Sequence, residues 1–174
     1  MVATSDKIKQ LREITGAGVM DCKRALEHAK GDMEKAKEEI IKKGVEIAAK
    51  KATRTTSQGR IVSYIHHNHK VGALVEVNCE TDFVAKNEDF AKFTRDVAMH
   101  IVAARPVYVK KEDVSKADMS KNEKAEDFYK RTCLLEQPFV RDESMTIGAY
   151  MTSLVAKTGE NINIKRFVCF GVGE

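Results

Sequence analysis

Residues 71 to 79 read Val-Gly-Ala-Leu-Val-Glu-Val-Asn-Cys, with Val71, Ala73, Val75, Val77 and Cys79 at a period of two. This is the pattern of a strand with one buried face, and it constrains the fold because such a strand must pair with others. Upstream, Ile61-Val62-Ser63-Tyr64-Ile65 leads through His66-His67-Asn68-His69-Lys70 into it, which predicts a hairpin closed by a polar turn. Far downstream, residues 161 to 170 set Ile162, Ile164, Val168 and Phe170 among mostly polar neighbours and predict a third strand pairing with the hairpin. Two sequential strands plus one from the far end, with helical sequence between, imply an α+β core with a three-stranded antiparallel sheet covered by helices.

The helical segments follow from their periodicity and punctuation. Residues 5 to 14 put Ile8, Leu11 and Ile14 on one face before Gly16 and Gly18 break the helix. A second helix, 19 to 30, carries Met20, Leu26 and Ala29 and is stopped by Gly31. Asp32 caps a third with Met33, Ala36, Ile40, Ile41, Val45 and Ala48 at helical spacing. Three helices in so short a stretch lie near the lower limit of independent folding, so much of their surface is expected to serve contacts. The polar, acid-free stretch that follows reads as a linker. The expected organisation is a three-helix module at 1–50, a linker at 51–59 and the core at 60–174.

Within the core, Asn87 caps a helix from Glu88 to Ala104 with Phe90, Phe93, Val97 and Ile101 inward and Pro106 ending it. Ser120-Lys121-Asn122-Glu123 has the form of a capping box and predicts a helix carrying Ala125, Phe128 and Leu135, bounded by Pro138. Residues 144 to 157 predict a further helix with Ile147, Met151 and Leu154 inward and Gly159 at its end.

A formal charge of +4 with 32% charged residues of both signs lacks the clustered basic face of a nucleic-acid binder. The basic linker has no aromatic residue to serve as a stacking platform, so nucleic acid is not expected as a partner. No apolar run approaches the roughly 18 residues of a membrane span, and the amino terminus lacks a secretory pattern. Cys22, Cys79, Cys133 and Cys169 have no close spacing and lie in apolar-patterned elements, which favours buried reduced thiols and a cytoplasmic location.

Chemistry-bearing constellations are few. His66, His67 and His69 cluster at a hairpin tip, where three ligands within four residues do not easily close a tetrahedral metal site, so a polar turn is the expected role. The glycine-rich nucleotide loops and the nucleophile elbow do not occur. Cys79 at an inward strand position reads as packing rather than as a nucleophile. Neither a catalytic site nor a metal or cofactor is expected. The remaining signal is Asp82-Phe83 at the strand exit. By parity Phe83 continues the buried face of Val71 to Cys79, and phenylalanines are buried more often than displayed. The same pair is also what pushes a rigid ring and a charge into a partner.

Three blocks bear on that choice: Leu11-Arg12-Glu13-Ile14-Thr15-Gly16-Ala17-Gly18-Val19-Met20-Asp21-Cys22-Lys23-Arg24-Ala25-Leu26, then Glu76-Val77-Asn78-Cys79-Glu80-Thr81-Asp82-Phe83-Val84-Ala85-Lys86-Asn87, then Gly159-Glu160-Asn161-Ile162-Asn163-Ile164-Lys165-Arg166-Phe167. In this order they closely resemble the elongation factor Ts family of translation factors. The resemblance spans nearly the whole chain, and the Thr-Asp-Phe-Val element is highly specific to the family.

The resemblance implies a guanine-nucleotide exchange factor for elongation factor Tu, acting during protein biosynthesis by binding rather than as an enzyme. It implies an amino-terminal module similar to ubiquitin-associated domains. It assigns Asp82 and Phe83, flanked by Thr81 and Val84, to the G domain of that partner beside the magnesium site. Arg12, Val19, Met20 and Lys23 match the positions through which the family's module packs on a helix of the same domain. Val19 departs from the methionine common there, and Met20 reads equally as a core residue of the module.

Long members of the family carry a further core subdomain, for which residues 109 to 141 leave room only for a helix and connections. A short form is therefore expected, with two chains associating through their cores as a homodimer. The competing expectation is a ubiquitin-like or RNA adaptor without exchange activity.

Overall fold

The computed structural model describes residues 4–115, 117–118 and 123–174. Two compact units emerge: one is the chain up to Arg54 together with Thr152–Asn161, the other Thr55–Met151 with Ile162–Glu174.

The first unit is built on α1 (Ser5–Thr15), α2 (Val19–His28) and α3 (Met33–Lys51). Gly16 ends α1 at φ +68°, a left-handed conformation that suits glycine, and its N–H donates to the Arg12 carbonyl at 2.8 Å. The Asp32 carboxylate caps α3 by accepting from the Glu34 and Lys35 amides at 3.1 and 3.2 Å. Leu11, Cys22, Ala25, Leu26 and Ala36 form the buried centre, with Ile8, Met33 and Ile40 packed around it. The core is narrower than the periodicity predicts: Ile14, Ile41 and Val45 are more than half exposed. Gly44 is the one buried residue in the later part of α3, and a methyl group there would meet Ala156 Cβ at 3.5 Å, so its small size sets the approach of the segment after Met151.

The second unit holds β1 (Gln58–Ile65), β2 (Val71–Cys79) and β5 (Ile162–Gly171) in one antiparallel sheet of order β1-β2-β5, with β2 central. β2 occupies the span its alternation marks out. Gly59 enters β1 at φ +152°, and a Cβ there would collide with the Val77 carbonyl oxygen, so no larger residue fits the pairing. Helix α5 (Glu88–Ala104) covers the inner face with Phe90, Phe93, Val97 and Ile101, all at zero exposure, against Val75, Val77 and Cys79. Asn87 caps α5 through the Asp89 amide at 2.7 Å. At the other end Arg105 turns left-handed, φ +49°, where the following proline disfavours another helical residue.

β5 departs from simple alternation. Val77 pairs with Ile164 but Glu76 pairs with Arg166, so Lys165 is an extra residue and the strand bulges. The bulge reverses parity: Ile162 and Ile164 are buried beside Cys79 and Val77, whereas Val168 and Phe170 stand beside Leu74 and Gly72 on the outer face. The four apolar residues that mark this strand in the sequence therefore divide between its two faces.

The segment before β5 holds α6 (Ala125–Thr132), two single-turn 3-10 helices, a two-stranded ribbon of β3 (Pro138–Phe139) and β4 (Asp142–Thr146), and α7 (Ile147–Thr158). Ser120, Lys121 and Asn122 of the expected capping box lie outside the described residues, and α6 begins after Lys124. Its Phe128 is buried, but Ala125 is exposed and Leu135 falls in the 3-10 turn beyond the helix. The ribbon was not expected, and it takes residues 144 to 146 from the predicted last helix. Asp96 ties α5 to this region: its carboxylate, 5% exposed, accepts from Lys92 at 2.7 Å, the Tyr150 hydroxyl at 3.1 Å and Arg141 at 3.3 Å.

Candidate functional site

Where β2 ends, the chain leaves strand geometry at Glu80 and starts a new element instead of continuing the pleat. Helix α4 (Asp82–Lys86) is five residues long, too short to persist on its own propensity. Thr81 holds its start: the residue is extended, φ −124°, and its hydroxyl accepts from the Val84 amide at 3.4 Å. The Thr81 carbonyl accepts the Ala85 amide at 3.2 Å and the Cys79 thiol at 3.2 Å, joining the last inward residue of β2 to the first turn of α4. Ala85, 7% exposed, is the side chain that seats the helix on the core.

This change of element decides the position of Phe83. Parity along β2 would bury it, but a helix has no period of two, and the ring is 82% exposed. The core reading from alternation is corrected. Asp82 beside it is exposed, and the Lys86 ammonium 2.7 Å away, by hydrogen bond and charge, holds its carboxyl below the usual carboxylate range. Thr81 and Val84 are half-buried. The four residues thus share one short helix and its cap, with a ring and an ionised carboxylate toward water.

The other predicted residues lie on the three-helix unit. Val19 and Met20 are the first two residues of α2 and are 50% and 61% exposed, so Met20 is not a core residue. Arg12 is exposed on α1, and Lys23 pairs loosely with Glu27 at 3.9 Å. Ile14, placed inward by periodicity, adds an exposed apolar side chain to the same unit.

Sequence reasoning overlooked two features. Lys86 was not singled out, although four residues after Asp82 is the spacing at which helical charges meet. The outer sheet face was also missed: Ile61, Ile65, Leu74, Val168 and Phe170 are all more than 40% exposed. The unbroken apolar run Phe167-Val168-Cys169-Phe170 signals apolar residues on both faces.

Among the described residues no group of His, Cys, Asp or Glu could hold a metal ion, and the hairpin-tip histidines form no such group. No described helix is long and apolar enough to cross a membrane. An exposed aromatic ring beside a carboxylate on a capped helix is a surface feature of the kind enriched where proteins meet other macromolecules.

The family model described as Elongation factor TS matches residues 2–127 and 122–174. An elongation factor Ts of Carboxydothermus hydrogenoformans is 49% identical over 194 residues, covering 98% of this chain and 89% of that protein. Those of Desulforamulus reducens and Koribacter versatilis are 45% and 44% identical, covering 98% and 100% of this chain and 89% and 90% of theirs. The chain belongs to the elongation factor Ts family, whose members are translation elongation factors.

Proposed function

We propose that this chain is a guanine-nucleotide exchange factor that binds GDP-bound elongation factor Tu and promotes release of the nucleotide by disturbing its magnesium-phosphate site. The observation that carries the reading is Phe83. A phenylalanine 82% exposed on a capped helix gains nothing in the free protein, whereas burying such a ring against a partner stabilises a complex by about 1.5–3 kcal/mol. Asp82 delivers an ionised carboxylate at the same point, and Thr81 and Val84 hold the pair in its helix.

The thermodynamics follow from linkage. A protein that binds the nucleotide-free G domain more tightly than the GDP form weakens GDP binding by the same factor. Magnesium compensates much of the phosphate charge, so loosening its shell speeds departure without bond chemistry. The ring and carboxylate need only compete for space and charge beside that ion. Arg12, Val19, Met20 and Lys23 of module 1–50 supply a second contact on the same G domain, while core 60–174 carries the exchange element. The exposure of Val19 and Met20 supports this second contact. The protein acts in the cytoplasm, where elongation takes place.

The same reading includes a homodimer. The outer sheet face offers Ile61, Ile65, Leu74, Val168 and Phe170, of which Ile61, Leu74 and Val168 line a shallow groove. At one end of this face, level with Ile61, Arg166 donates to Glu76 at 2.7 Å. An apolar face bordered by a charge pair is suited to a two-fold axis, because the second copy presents the same complementary set. Fluorescent GDP release from elongation factor Tu tests the activity: addition of this protein is expected to accelerate release, and an unchanged rate rejects the exchange reading.

A further inference from the structure

We propose that Lys86 is a positioning residue that acts on the exchange partner through Asp82. The inference rests on the exchange reading above and goes beyond it by assigning a residue that touches neither nucleotide nor magnesium.

Helix α4 has few means of staying formed. Five residues supply too few internal hydrogen bonds to offset the cost of nucleation, and the exposed Phe83 ring does not anchor it. The cap at Thr81 and the burial of Ala85 fix its backbone. Neither fixes the side chain of Asp82, which is 52% exposed and has three staggered wells about its first torsion.

Lys86 selects among those wells. Its Nζ donates to Asp82 Oδ2 at 2.7 Å, joining the first and last residues of α4. The two lie at the i and i+4 spacing, acid toward the amino end and base toward the carboxyl end, the orientation that also suits the helix dipole. The Lys86 side chain is 75% exposed, so removing its charge leaves no cavity. The clamp pre-orients the carboxylate before the partner arrives and lowers the ordering cost at binding.

The test is a double-mutant cycle read by stopped-flow release of fluorescent GDP from elongation factor Tu at sub-saturating exchange factor. Lys86→Met is expected to slow release about two- to five-fold, the range of an exposed ion pair, and Lys86→Arg to restore most of the rate. In an Asp82→Asn background Lys86→Met is expected to change nothing further, because a residue that acts through Asp82 has nothing left to position. Additive losses, or a Lys86→Met rate equal to wild type, overturn the proposal. A carbon-13 titration of the Asp82 carboxyl is independent of the partner: its midpoint should rise in Lys86→Met, and an unchanged midpoint overturns the clamp. Failure of the wild-type protein to accelerate release would reject the exchange reading instead, while the titration would still decide whether Lys86 holds the Asp82 carboxylate.

Discussion

Leu74 stands directly opposite Val168 across the β2–β5 ladder, both on the outer face of the sheet and 44% and 41% exposed. Their adjacency is a product of the bulge at Lys165, which carries Val168 out of the buried face. If this face joins two chains, Leu74→Lys combined with Val168→Lys should yield monomer in sedimentation at micromolar concentration. The substituted side chains remain in water in the isolated chain, so the monomer should keep its helical circular dichroism. A wild-type protein that sediments as monomer would remove the dimer from the account.

The contrast between β2 and β5 shows what a sequence makes legible. β2 was readable because its alternation is unbroken and turn residues bound it. α5 was equally readable, its apolar face lying between the Asn87 cap and Pro106. The bulge was not, since one extra residue in β5 depends on which carbonyl meets which amide across the ladder, and no composition rule contains that. Helix α4 is too short to show a period, so parity along β2 carried Phe83 into the core. The Thr-Asp-Phe-Val motif, read as a family resemblance, pointed to its display. The β3–β4 ribbon, with a two-residue first strand, left no alternation to detect.

His100 predicts how the fold responds to acid. The ring has zero exposure; its Nδ1 accepts the Val140 amide at 3.3 Å, so Nε2 carries the proton and donates to Gln137 Oε1 at 3.0 Å. Burial lowers its pKa below the ordinary 6.5. A histidine held neutral contributes stability that is fully present above pH 6.5 and is lost as pH falls through the lower folded value. Urea denaturation at fixed protein concentration should show the midpoint falling as the pH drops below 6.5, and His100→Gln should flatten that part of the dependence.

Asp96 accepts from three side chains on α5, α7 and the ribbon turn while itself 5% exposed. Asp96→Ala should destabilise the protein by about 1–3 kcal/mol, the cost of leaving buried hydrogen-bonding groups without an acceptor. The estimate stays below that of a fully buried ion pair because Lys92 and Arg141, 61% and 62% exposed, can return to water. The shift in urea midpoint measures it. A loss under about 0.5 kcal/mol, typical of plain surface sites, would show that the network does not hold these elements together.

Phe83 and Phe93 are the same residue type at opposite extremes, 82% and 0% exposed. Phe93→Ala should cost about 3–5 kcal/mol of stability, whereas Phe83→Ala should stay within about 0.5 kcal/mol. The most direct measurement therefore pairs a urea melt of Phe83→Ala with its rate of GDP release from elongation factor Tu. The account predicts wild-type stability together with release slowed about thirty-fold or more, as expected when a binding anchor is removed. Unimpaired release, or a stability loss as large as that of Phe93→Ala, would contradict it.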